Sequence, residues 1–173
     1  MDLSSGGSTQ QTSILKSIIQ HSEFDPFSLS YDIALLELTV PLVFDTNTQA
    51  IAMPSIDQII SSDCIASGWG AVTEGGDVND LLQQVTLPVV DDATCKATYG
   101  ETEIYDHMIC LGEAGKDSCQ GDTGGPLTCT NSDQSSFLGG IYSTGYGCGR
   151  PSYPGIYTEM SYFVQWIADQ TGS

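Results

Sequence analysis

The chain has 173 residues, 40% of them apolar, with 4 basic against 22 acidic side chains and a formal net charge of −18. That length fits one domain or two small halves, and the composition is neither disordered nor collagen-like. So acidic a chain excludes nucleic acid and anionic membrane surfaces as partners and suits cations or basic polypeptides.

The start, Met1-Asp-Leu-Ser-Ser-Gly-Gly-Ser8, is small and polar, without the basic and apolar regions of a signal peptide. No 18-residue apolar run follows, so no membrane span is expected. Short apolar stretches bounded by Gly, Pro, Asn and Asp predict strands over Ser13–Gln20, Ile33–Phe44, Cys64–Trp69, Leu82–Val90, Pro126–Thr130 and Phe137–Ser143. Turns are expected at Glu74-Gly-Gly-Asp77, Asn131-Ser-Asp133 and 146–155, and a linker over Ala52–Asp63, which carries Pro54 and few strand formers. Phe163, Trp166 and Ile167 fall at i, i+3, i+4, which predicts a closing helix over Met160–Gln170. Many short strands with one terminal helix give an all-β antiparallel barrel or sandwich.

Six cysteines, at 64, 95, 110, 119, 129 and 148, form no C-x-x-C pair, and His21 and His107 have no zinc-finger spacing to them. Metal binding is therefore not expected. An even count in a Gly-rich β sequence reads as disulfides and an oxidising compartment, with 15 pairings open.

The densest chemical signal is Cys119-Gln-Gly-Asp-Thr-Gly-Gly-Pro126. Glycines on both sides of a hydroxyl residue allow a tight loop that exposes the side chain and turns N–H groups inward, as a nucleophile beside an oxyanion hole requires. Other segments stand in order around it: Asp32-Ile-Ala-Leu-Leu-Glu37, Ser67-Gly-Trp-Gly70, Met108-Ile-Cys110 before Asp117-Ser-Cys-Gln120, and Ser143-Thr-Gly-Tyr-Gly-Cys148 before Pro154-Gly-Ile-Tyr157. Together they resemble the trypsin/chymotrypsin family of serine proteases, in texture the crustacean and other arthropod trypsins. Thr123 lies 91 residues after Asp32, close to the interval of about 93 in that family's worked triad.

The resemblance implies a double antiparallel β-barrel with a C-terminal helix. Residues 1–55 would be the remnant of the first barrel plus linker, and 56–173 the second barrel and the helix. It implies endopeptidase activity after Lys or Arg without cofactor or metal. It also implies a monomer in the extracellular space, acting on polypeptide substrates or held by protease inhibitors. The disulfides it implies are Cys64–Cys129, Cys95–Cys110 and Cys119–Cys148. Asp32 matches the triad aspartate, Thr123 the nucleophile position, and the N–H groups of Gly121 and Thr123 the oxyanion hole. Asp117 matches the pocket floor, where a carboxylate offsets the cost of burying a cation. Ser143, Gly145 and Gly155 match the pocket walls, the glycines leaving room for a long side chain. Asp122 matches the carboxylate that receives a newly freed N-terminal amine.

Three departures bear on activity. The template places its histidine about 45 residues before the aspartate, ahead of Met1, and neither His21 nor His107 stands in a matching segment; both read as surface or loop histidines. Thr123 replaces the family's serine, adding a methyl to a crowded loop. No Ile-Val-Gly-Gly start supplies an amine, so Asp122 must stay unpaired or turn elsewhere, with a zymogen-like oxyanion loop expected. Thr144 stands where the family usually has Trp, thinning one wall. The expectation is an N-terminally truncated family member, inactive as it stands. The alternative is a non-catalytic homologue that binds or regulates, which the changed nucleophile favours.

Overall fold

The computed structural model describes residues 9–172. Nine strands and two helices follow in order: β1 (Leu15–Gln20), β2 (Ala34–Leu38), β3 (Cys64–Gly68), β4 (Gln83–Leu87), β5 (Val89–Val90), α1 (Asp92–Tyr99), β6 (Met108–Leu111), β7 (Pro126–Thr130), β8 (Ser136–Thr144), β9 (Gly155–Glu159) and α2 (Met160–Thr171). β1 and β2 form an antiparallel ladder of their own. The other strands make one antiparallel sheet in the order β4-β3-β7-β8-β9-β6-β5, curled into a half-barrel. No helix among the described residues is long and apolar enough to cross a membrane.

The alternation expected of half-buried strands is clean in β7, where Leu127 and Cys129 face the core while Pro126 and Thr130 face out. The main core gathers Leu87, Leu111, Leu127, Phe137 and Tyr157 around the Cys64–Cys129 bond. Truncating a fully buried leucine such as Leu127 costs about 2–5 kcal/mol. Cys95–Cys110 ties α1 to β6, and Cys119–Cys148 ties two loops together; each bond contributes on the order of 2–4 kcal/mol.

Several predicted elements change. The strand expected over Ile33–Phe44 ends at Leu38, because Pro41 has no N–H to give a ladder. Pro88 likewise splits Leu82–Val90 into β4 and β5. β6 and β9 were not expected. All of β6 is buried, so its side chains show no alternation to read, and β9 begins at Gly155, inside a stretch read as turn. Helix α1 was not expected either. It rests on Asp91, which caps it by accepting from Thr94 N at 2.9 Å, and on Cys95 as its buried residue. The helix α2 lies where the i, i+3, i+4 pattern put it, one residue longer.

The histidines are not loose surface groups. His107 is 4% exposed, and its Nε2 accepts the Tyr31 N–H at 3.0 Å, with Ser30 Oγ at 3.2 Å. A backbone N–H can only donate, so that nitrogen carries a lone pair and the proton sits on Nδ1. Tyr31 is stacked between His107 and His21, 4.2 and 4.7 Å away, and His21 lies 5.0 Å from Trp166 of α2. Burial pushes His107 below its ordinary 6.5, helped by His21 and opposed by Asp106 and Glu23; the rings of Tyr105, Tyr162 and Phe163 complete its surroundings. The unfolded chain therefore takes up the proton first, and the stability from this contact is lost as pH falls below about 6.5. The protection of the Tyr31 amide, its exchange rate taken relative to the intrinsic rate at each pH, should fall between pH 7 and 5 in the wild type and lose that dependence in His107→Gln; an identical pH profile in both would contradict this contact.

Candidate functional site

Asp32 sits where the chain from β1 re-enters the molecule. Leu29 and Tyr31 just before it hold left-handed backbone, with φ of 55° and 54°, which costs a non-glycine residue on the order of 1 kcal/mol each. Contacts hold the turn in place. Ile33 is buried against Met160 and Phe163, Thr158 Oγ1 donates to the Asp32 carbonyl at 2.7 Å, and Ser143 Oγ donates to Asp32 Oδ2 at 2.7 Å. The carboxylate therefore meets the end of β8.

The Gly121–Gly125 loop meets the same strand end. Gly124 N donates to the Tyr142 carbonyl at 2.8 Å and Tyr142 N donates to the Gly125 carbonyl at 2.9 Å, so residues 142 and 143 carry the threonine loop on one side and Asp32 on the other. Thr123 is exposed at the loop tip. The N–H groups of Asp122, Gly124 and Gly125 are all used within the loop or against Tyr142, while those of Gly121 and Thr123 have no partner among the described residues. Two unengaged donors therefore lie in the same loop as an accessible hydroxyl.

Asp122 takes the second of its two expected courses. Its carboxylate turns toward the Ser67–Gly70 turn, where Gly70 N donates to Oδ1 at 2.8 Å and Cys119 N donates to Oδ2 at 3.0 Å. A Cβ at Gly68 or Gly70 would lie within 2.1 and 2.5 Å of Oδ1, so only glycines admit it. The charge is satisfied by backbone dipoles.

Asp117 is half-buried and accepts from Ser118 N and Gly149 N, both at 2.9 Å. Burial still wins: its pKa is pushed up to about 6, against the lowering by the Gly149, Ser118 and Gly155 N–H groups. Beside it, Ser118 Oγ and Tyr157 Oη lie 2.7 Å apart, both buried. A cavity of about 460 Å³ opens between the Ser67–Glu74 and Gly115–Asp122 segments, with Asp117 and Asp122 on its wall. Thr123, Ser143, Gly145 and Gly155 do not line it.

The Tyr142 side chain lies beside both Gly145 and Gly155. A Cβ at Gly145 would meet Tyr142 Oη at 3.3 Å, and one at Gly155 would meet Tyr142 Cε2 at 3.3 Å and Asp117 Oδ1 at 2.7 Å. Tyr142 is 6% exposed, its ring 5.3 Å from that of Tyr157. Sequence reasoning missed it; an aromatic residue just before Ser143, on a strand ending between two glycine walls, was the available signal.

The family model described as Trypsin matches residues 2–167. The chain belongs to the trypsin family of serine proteases. It is 48% identical to Trypsin-1 of Astacus astacus over 169 residues, covering 96% of this chain and 71% of that protein. It is 43% identical to Serine protease 1 of Rattus norvegicus, covering 88% and 61%, and 39% identical to Trypsin eta of Drosophila melanogaster, covering 99% and 65%. The chain thus spans 61% to 71% of the length of these relatives. Its mostly-β architecture, with the curled sheet, a second sheet and the C-terminal helix, fits the trypsin-like double barrel. All three disulfides are those the family resemblance implied.

The raised Asp117 pKa has a definite sign. Above its unfolded value of 3.8 the folded chain holds the proton longer, so this group's contribution to stability falls as pH rises from about 4 to about 6. The difference in melting temperature between wild type and Asp117→Asn should therefore decline across that window; a difference independent of pH would show that Asp117 is not desolvated.

Proposed function

We propose that this chain carries the polypeptide-binding frame of a trypsin-like serine endopeptidase without completing, on its own, the chemistry of peptide hydrolysis. Residues 1–55 belong to the first barrel and linker of that frame, and 56–173 form its second barrel. Asp32 is the carboxylate that would orient an imidazole, Thr123 stands at the nucleophile position, and the Gly121 and Thr123 N–H groups are the oxyanion donors. Asp117 is the pocket floor that favours Lys or Arg, with Ser143, Gly145 and Gly155 as its walls. The observation that carries this reading is the Ser143 to Asp32 hydrogen bond, which supports a common site for the aspartate and the threonine loop. The partners of such a frame are polypeptide substrates or protease inhibitors, met outside the cell by a single copy of the chain.

Acyl transfer needs a base to take the hydroxyl proton as the oxygen attacks. His107 holds the Tyr31 N–H and His21 is packed on Tyr31 and Trp166, so neither serves Thr123. The threonine methyl restricts χ1 of the hydroxyl. A non-catalytic, binding or regulatory role is the reading that Thr123 itself favours.

In a related triad, losing the serine or the histidine alone costs about a millionfold in rate, and the losses do not add. Thr123→Ser alone should consequently restore no measurable hydrolysis of lysyl or arginyl amides, and a fluorophosphonate should label neither form. Labelling of Thr123 in the wild type, or a large gain from the serine, would show that a base is present after all.

A further inference from the structure

The ring of Tyr142 lies in the space bounded by Gly145, Gly155, Tyr157 and the Asp117 carboxylate. That placement bears on specificity and rests on the reading of Asp117 as a pocket floor. We propose that Tyr142 is a resident plug of this pocket, a specificity-determining residue that denies Asp117 to a long basic side chain unless the ring first swings out.

Four observations support it. A Cβ at either of the two glycines that would leave a side-chain channel open would press on Tyr142 at 3.3 Å, on Oη at Gly145 and on Cε2 at Gly155, where Tyr157 Cε2 at 3.1 Å is nearer still. The same absent Gly155 Cβ would touch Asp117 Oδ1, so the ring edge and the carboxylate border one small volume. The cavity that does reach Asp117 is lined by the Ser67–Glu74 and Gly115–Asp122 segments and not by Thr123, Ser143, Gly145 or Gly155. The plug is also firmly based. Its backbone N–H and carbonyl are both bonded to the threonine loop, which leaves rotation of the side chain as the only way to open.

The phenol is well suited to a closed state. Its ring packs against Tyr157 within the main core, while its hydroxyl makes no hydrogen bond among the described residues and so sets no polar lock on the closed position. Swinging out requires exposing that ring, and a ligand pays this as a reduced population of competent protein. A short or absent side chain needs no such opening. The pocket therefore discriminates by whether a ligand can displace Tyr142, with Asp117 acting only after displacement.

The test uses p-aminobenzamidine, a flat aryl amidine whose cation needs a carboxylate floor, titrated by fluorescence against the folded chain. Tyr142→Val should bind at least about tenfold tighter than wild type, as expected if the open state is a tenth populated or less. Tyr142→Phe, which keeps the ring, should bind like wild type, and adding Asp117→Asn to Tyr142→Val should abolish binding. Circular dichroism checks folding of each variant. Wild-type binding as tight as that of Tyr142→Val, still abolished by Asp117→Asn, would overturn the plug and leave the pocket reading intact. A folded Tyr142→Val that binds nothing would overturn the pocket reading and the plug with it. Should Tyr142→Val not fold, nuclear Overhauser contacts in the wild type decide: contacts from the Tyr142 ring protons to the α-protons of Gly145 and Gly155 support the plug, and their absence overturns it.

Discussion

The Asp32 carboxylate is held against β8 by one charged hydrogen bond, from Ser143 Oγ at 2.7 Å. The hairpin of β1 and β2 pairs with no strand of the large sheet, so without such contacts the segment carrying Asp32 would have no fixed place on it. Two left-handed residues lead into the aspartate, and their strain is offset by the Tyr31 stack, the His107 acceptor and the burial of Ile33. A hydrogen bond to a charged group contributes about 1.5–3 kcal/mol, enough to decide where a strained turn settles. The position of the aspartate is thus a tertiary effect, built from β8, β9 and α2.

Three carboxylates near the site show how surroundings divide their roles. Asp122 is turned into a glycine-lined turn and compensated by two N–H groups, so it fixes the shape of the threonine loop. Asp117 also receives two N–H groups, yet its burial outweighs them and leaves a group that gains from a cation. Glu74 lies outside, gripping Arg150 and Cys148 N and so tying the 73–77 loop to the 146–150 loop; exposed as it is, that ion pair adds little to stability. The Cys119–Cys148 bond ties the segment that carries Asp117 to the same 146–150 loop covalently.

Much of this was legible in the sequence. β7 declares itself by alternation, and α2 by its apolar face, because each has one wet and one dry side. β6 has no wet side and α1 has a single buried residue, so neither period could appear. The ordered motifs gave the family and the disulfides. They did not point to Tyr142, the β8 residue whose side chain lies beside both Gly145 and Gly155. The two histidines do lie in loops, as read, but His107 is buried and only the fold stacks the pair on either side of Tyr31.

The central claim is that Asp32 and the end of β8 form one coupled unit. A double-mutant cycle with Asp32→Ala, Ser143→Ala and the double variant, read by urea unfolding, measures that coupling directly. A coupling energy of about 1.5–3 kcal/mol is expected for a charged hydrogen bond in this setting. Strictly additive losses would mean that the carboxylate does not rest on Ser143 in solution, and the arrangement of the whole site would have to be redrawn.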